Sequence, residues 1–147
     1  PCAELGSGLY STPFLHWNCV ADRRRLLSCE SRGDYFELLS RYMKPHWNPG
    51  GHHEILQVAA DWANAPLEQP WDLVLVDQGP DETRAGTILR LAPWAKYLIV
   101  HDSEPQRDWH YHYAEAFATF AHRWDYTELH ECHTTVLSNL VSLDDCA

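Results

Sequence analysis

The chain has 147 residues, 45% hydrophobic and 22% charged, which suits one globular domain with a genuine core. A formal charge of −10 argues against nonspecific nucleic-acid binding, which needs basic surface. No apolar run approaches the roughly 20 residues of a membrane-crossing helix, and no secretory leader is visible.

In chain order, Pro1 to Leu5 reads as a short strand entering the loop Gly6-Ser7-Gly8. Glycines there let the backbone turn tightly and approach a ligand. Because the chain begins inside this strand, a parent protein with an upstream segment is expected. Ser11 or Thr12 is expected to cap the next helix, with Pro13 in its first turn and an end near Val20. A helix behind such a loop aims free backbone N–H groups at whatever the loop holds. Arg25 to Glu30 reads as a second strand, and the stripe Tyr35, Leu38, Leu39, Tyr42 predicts an amphipathic helix stopped by Pro45. Lys44 to His53 is a loop by its prolines and glycines. Ile55 to Ala60 is a third strand, and Trp71 to Asp77 is the apolar run of a strand buried on both faces. Asp81 to Leu91 predicts a helix, weakened by Gly86 and ended by Pro93. Tyr97 to Val100 forms a fifth strand closing on His101-Asp102. Ala114, Phe117, Ala118 and Ala121 stripe a further helix, and Trp124 to His130 and Thr134 to Leu140 read as an antiparallel closing pair.

This alternation predicts a mostly parallel sheet with right-handed crossovers and helices on both faces. Ligands of such sheets bind beyond the C-terminal strand ends, at the topological switch point. Glu30, Asp61, Asp77 and Asp102 all fall at such ends. Glu30 lies 22 residues after Gly8. That is near the ~20-residue spacing of a glycine loop and a ribose-binding acid in one βαβ unit. A carboxylate's two oxygens suit a vicinal diol.

Elsewhere the bland readings prevail. Arg23-Arg24-Arg25 reads as a solvated loop. Cys2, Cys19, Cys29, Cys132 and Cys146 form no CxxC pair and read as free thiols in a reducing, cytoplasmic setting. His52-His53 and His110-Tyr111-His112 lack the spacing of a structural zinc site. Trp47, Trp94, Trp109 and Trp124 read as core or loop anchors, although Trp109 with His110 and His112 is an alternative lining for a substrate mouth.

Glu4-Leu5-Gly6-Ser7-Gly8, the acid closing strand two, Asp61-Trp62 after strand three and the buried strand ending in Asp77 together resemble class I S-adenosylmethionine-dependent methyltransferases, over Glu4 to about Leu140. The resemblance implies an α/β, Rossmann-like three-layer sandwich over residues 1–147. Its seven-stranded sheet would be ordered 3-2-1-4-5-7-6, with strand 7 antiparallel. It implies S-adenosyl-L-methionine as cofactor. Glu4, Gly6, Ser7 and Gly8 would lie beneath the methionine part. Glu30, with Ser31 beside it, would take the ribose hydroxyls. Asp61 would receive the adenine amino group, with Trp62 packed on the ring. Asp77, followed by Gln78, would lie near the methionine amino group and the substrate. Tyr10 replaces the family's third glycine, which would bring the hydroxyls of Tyr10, Ser11 and Thr12 to the cofactor carboxylate.

The activity so implied is methyl transfer to a small-molecule acceptor, expected at oxygen, in which the protein chiefly aligns the reactants. A hydroxyl acceptor must lose its proton. His101 is one candidate base, together with Asp77 and Asp102 in the catalytic set. Alternatively, Asp77 and Asp102 hold a divalent cation such as Mg2+ that lowers the pKa of a bound hydroxyl. The expected partners are a small-molecule substrate, no nucleic acid and no membrane, with self-association closing an open substrate side. An NAD-dependent oxidoreductase is an alternative, weakened by Ser11 at the fingerprint's third glycine and by Glu4. A non-catalytic or cofactor-cleaving S-adenosylmethionine-binding protein is another.

Overall fold

The computed structural model of the chain describes residues 1–42, 48, 50–128 and 132–144. Its strands are β1 (Cys2–Leu5), β2 (Leu26–Glu30), β3 (His53–Gln57), β4 (Trp71–Val76), β5 (Ala95–His101), β6 (His122–Tyr126) and β7 (Thr134–Ser138). Its helices are α1 (Ser11–Ala21), α2 (Gly33–Tyr42), α3 (Arg84–Leu91), α4 (Asp108–Tyr111) and α5 (Tyr113–Phe117). The strands form one sheet in the order β3-β2-β1-β4-β5-β7-β6, the order that the family resemblance implies. Pairing is parallel from β3 through β5, and β7 runs antiparallel between β5 and β6. The order reverses between β1 and β4, so the switch point lies at the ends of those two strands.

Every residue of β1 and β2 is buried, including Glu4, Ser28 and Glu30. Buried polar side chains are costly unless hydrogen-bonded, and these three are bonded. The main core packs Leu5, Leu27, Val74 and Val76 of the central strands with Ile88 and Leu91 of α3 and Phe117 of α5. Trp62 and Trp71 join it with their indole N–H groups satisfied by the carbonyls of Gly79 and Leu67. Removing a side chain of this kind costs about 2–5 kcal/mol through lost burial and the cavity left behind. Among the described residues, Cys2, Cys19, Cys29 and Cys132 are free, and no helix is long and apolar enough to cross a membrane.

Several element bounds differ from the sequence reading. The third strand runs from His53 to Gln57, because His53 pairs with Leu26 and is buried beside it. Ser11 and Thr12 lie inside α1 rather than before it, since Tyr10 takes the cap position without a side-chain cap bond. A 3-10 turn over Asp81–Thr83 precedes α3. The single helix striped by Ala114 and Ala121 is instead the pair α4 and α5, broken at His112, whose φ of 56° is left-handed. Asp108 accepts the Ala114 N–H there and starts the second helix. In the closing pair, β6 begins at His122, and β7 ends at Ser138, whose hydroxyl accepts the N–H groups of Leu140 and Val141. The expected roles of Pro45 and Trp47, the thiol of Cys146 and the strand end at His130 lie outside the described residues.

Candidate functional site

A cavity of ≈350 Å³ opens at the switch point, lined by Gly6, Ser7, Gly8, Leu9 and Tyr10 of the first loop, Glu30, Arg32 and Tyr35 after β2, and Asp77 and Gly79 after β4. Gly6 makes this shape possible. Its φ is +84°, and a Cβ there would lie 2.3 Å from the Asp77 carbonyl oxygen, so only glycine lets the loop pack on the end of β4. Glu30 closes the second side. Its Oε2 accepts the Ser7 N–H at 2.9 Å and its Oε1 accepts the Arg32 N–H at 2.8 Å. Each oxygen keeps a further lone pair for a ligand hydroxyl. The Ser7 hydroxyl is buried on this cavity and has no partner. At the rim, the Arg32 guanidinium lies 4.5 Å from the centre of the Tyr35 ring, which supplies a flat surface, and Tyr10 is 91% exposed.

Glu4 lies underneath the loop and is fully buried. Its Oε2 accepts hydroxyls from Thr12 at 2.8 Å and Ser28 at 2.7 Å. Thr12 in turn accepts the Gly8 N–H, so Glu4 braces the glycine loop through Thr12. Ser28 also meets His53 Nε2 at 2.9 Å, and His53 Nδ1 meets His16 Nδ1 at 3.0 Å. Because the Ser28 proton goes to Glu4, His53 Nε2 donates to Ser28 and His53 Nδ1 accepts from His16. Burial pushes the Glu4 carboxyl up and pulls the His53 imidazole down to about 4.

The expected adenine pair is not brought to the cavity. Asp61 is exposed and its carboxylate accepts the Ala63 N–H in a tight turn. Trp62 is 0% exposed, a core side chain with no face to offer a ring. Gln78 is likewise buried, its amide donating to the hydroxyls of Thr83 and Thr87. The Ser31 hydroxyl donates to the Gly79 carbonyl, and Ser11 lies behind Gly8, its Oγ 2.9 Å from where a Cβ there would stand.

Beyond β4 and β5, Asp77, His101 and Asp102 do converge. His101 Nδ1 stands 3.3 Å from Asp102 Oδ1 and 3.5 Å from Asp77 Oδ1. Asp102 holds its position with a left-handed φ of 56°. Arg84, which the sequence reading missed, is buried among them. Its guanidinium donates to Asp77 Oδ1 at 3.0 Å and lies 3.8 Å from Asp102 Oδ2. The Gln78 carbonyl, at 2.6 Å, fixes the same group. A cation closing an otherwise acidic run, Asp81-Glu82-Thr83-Arg84, was its only trace in the sequence. Asp102 and Asp77 together raise the His101 imidazole to about 10, and His101 holds Asp102 down at about 2.

These facts correct two chemical expectations. A general base must be unprotonated at its working pH, and His101 keeps its proton well above neutrality. The donor atoms of Asp77, His101 and Asp102 do lie within 4.8 Å of one another, close enough to share a metal ion. However, both carboxylates already carry a guanidinium and an imidazolium, which supply the positive charge that Mg2+ would bring. The residues present therefore do not fit a divalent cation.

No family model and no curated protein sequence matches the chain. Solved structures do match. The N-terminal domain of human METTL16 in complex with SAH aligns with a TM-score of 0.66 at 11% identity, covering 94% of this chain and 60% of that one. An rRNA methylase from Streptococcus thermophilus aligns with a TM-score of 0.65 at 12% identity, covering 95% and 86%. A METTL16 catalytic domain in complex with a 3′UTR hairpin aligns with a TM-score of 0.67 at 9% identity, covering 98% and 64%. The chain thus spans about 60% of the METTL16 domain solved with SAH. At such identity the shared property is the fold, a Rossmann-like methyltransferase sheet. The likeness also corrects the expectation that excluded nucleic acid. One neighbour is an rRNA methylase and another holds an RNA hairpin, so a charge of −10 does not remove RNA from the partners this fold admits.

Proposed function

We propose that this domain binds S-adenosylmethionine and transfers its methyl group. The observation that carries the reading is Glu30, pinned by two backbone N–H groups at a cavity that Gly6 shapes and Ser7 lines. Glu30 would take the ribose hydroxyls, the first loop and Ser7 the methionine end, and Tyr35 with Arg32 the flat ring. When bound, the cofactor supplies a methyl group on a sulfonium sulfur, which leaves as a neutral thioether. The chain's task is then to align the acceptor and to screen charge. Asp77 lies on the cavity and is held in place by Arg84. Since His101 is held protonated and Asp102 is a weak base, this cluster suits a neutral nitrogen, which attacks without first losing a proton, better than a hydroxyl.

Two acceptor classes have an observation behind them. RNA is supported by the fold neighbours and by exposed Tyr10, Phe14 and Trp17 at helical spacing beside the cavity, a surface on which bases stack. A small molecule that carries an amine is supported by a second cavity lined by Ser103 and Glu104, which follow Asp102 in the chain. The test is thermal shift and methyl-transfer turnover with S-adenosylhomocysteine, S-adenosylmethionine and NAD. Stabilisation by the first two and none by NAD is expected. Stabilisation by NAD alone would reinstate the oxidoreductase.

A further inference from the structure

Just beyond the Asp77, His101 and Asp102 cluster lies a cavity of ≈280 Å³ between the β5–α4 loop, α5 and β6. Pro105, Tyr113, Ala114 and Phe117 supply its apolar wall, and Ser103 and Asp108 its polar edge, with Asp108 Oδ1 already accepting the Ala114 N–H. Glu104 lines it as well, although that residue is only 7% exposed. One carboxylate oxygen of Glu104 stands 3.5 Å from Arg107 Nε, and the other, Oε2, is buried without any partner. A buried carboxylate oxygen left unpaired costs about 1–3 kcal/mol or more, so it marks a place where a donor is wanted. The other cation on the cavity, Arg123, lies over the Phe117 ring and ion-pairs with Asp125 at 3.0 Å, so its charge is already met. What the cavity lacks is a cationic N–H donor on a short apolar body.

We propose that this cavity is an ammonium-binding subsite that anchors the methyl acceptor through a cationic group distinct from the atom that takes the methyl. An amine enters with its ammonium toward the Glu104 carboxylate and its carbon body against Pro105, Ala114 and the edges of the Tyr113 and Phe117 rings, whose faces are stacked on Tyr111, on each other and under Arg123. The assignment of the ligand as acceptor rests on the methyl-transfer reading. Two features connect the cavity to that chemistry. Asp102 and Ser103 are consecutive, so the loop that bounds the acid cluster also bounds the cavity. Tyr113 lines the cavity, and its hydroxyl accepts from Arg84 at 3.4 Å, the same guanidinium that holds Asp77.

The competing use of Glu104 is metal binding, because its carboxylate, Asp102 and Cys132 Sγ lie within 4.8 Å of one another. Arg107 argues against that use, standing 3.7 Å from Asp102 and 3.5 Å from Glu104.

The experiment is calorimetric titration of the whole chain with three probes that share a body: tyramine, 4-ethylphenol and 3-(4-hydroxyphenyl)propionate. Tyramine is expected to bind at least about tenfold more tightly than either of the others, and Glu104→Gln to weaken tyramine about tenfold or more. S-adenosylhomocysteine binding should stay within about twofold in that variant. If Glu104→Gln does not fold, the order of the three probes on the unaltered chain decides alone. Equal binding of tyramine and 4-ethylphenol overturns the proposal. So does Zn2+ that binds through Glu104 and shields Cys132 from alkylation, or adenosine that binds where tyramine does not. Tyramine binding without S-adenosylhomocysteine binding would keep the subsite and remove the methyl-transfer reading. The reverse result would remove the subsite alone.

Discussion

The two halves of the candidate site treat their acids in opposite ways. On the β1–β2 side, Glu4 is surrounded by hydroxyls and backbone, no arginine touches it, and burial raises its carboxyl. On the β4–β5 side, Asp77 and Asp102 share Arg84 and His101, and Asp102 is held at about 2. The same contrast separates two histidines. His53, sealed beneath the glycine loop, is neutral to about 4, whereas His101, between two carboxylates, is charged to about 10. Acids at strand ends therefore do two jobs in this fold. One set braces a loop through hydroxyls and backbone N–H groups, and the other is a cluster with its counter-ions built in.

The largest effect that would break this contrast comes from Arg84. Arg84→Met leaves two carboxylates facing one imidazolium in a partly buried setting. A loss of about 3–5 kcal/mol in urea unfolding is expected. A change under about 1 kcal/mol would mean that the guanidinium is a bystander.

The pH dependence of stability follows next, and the two histidines act in opposite directions. His53 has a folded pKa depressed below its ordinary 6.5, so the unfolded chain binds the extra proton first as pH falls. Its contribution is present above 6.5 and lost between 6.5 and about 4. The loss is roughly 3 kcal/mol at one unit per 1.36 kcal/mol. His101 has a raised folded pKa, so its contribution is present below 6.5 and fades as pH rises toward 10. Stability should therefore be greatest near neutrality. Histidine ring NMR checks both: one ring unprotonated down to about pH 4, another still protonated at pH 9. Two rings titrating together near 6.5 would erase the contrast between the halves.

The smallest effect is Thr12→Val, which takes an acceptor from the Gly8 N–H and a donor from Glu4. About 1–3 kcal/mol of stability is expected to go, together with some cofactor affinity, because the loop loses its brace. Unchanged affinity would show that the loop is held without Glu4.

The parallel strands were legible in the sequence as runs bounded by turn residues, whereas the sheet order came only with the resemblance that the Glu4 to Gly8 segment and the strand-end acids carry. Gly6 and Glu30 were legible through spacing in one βαβ unit. What escaped was set by tertiary contact. Trp62 looked like a ring platform, yet its neighbours bury it completely. Arg84 lay on a helix start with no motif around it, and only the fold brings it to Asp77 and Asp102. The protonation of His101 was unreadable for the same reason, since one of the two carboxylates that charge it stands 24 residues away on β4's end. Glu104 carried no sequence signal, since only the fold buries its carboxylate beside a cavity with one oxygen unpaired.

The central claim is that Glu30, and not Asp61, is the acid that reads the cofactor. Calorimetric titration of S-adenosylhomocysteine into the unaltered chain, Glu30→Gln and Asp61→Ala tests it directly. The account predicts binding by the unaltered chain and by Asp61→Ala within about twofold. It predicts a loss on the order of 100-fold in Glu30→Gln, the size of one or two charge-assisted hydrogen bonds. Equal binding by Glu30→Gln, or no binding by the unaltered chain, would contradict it.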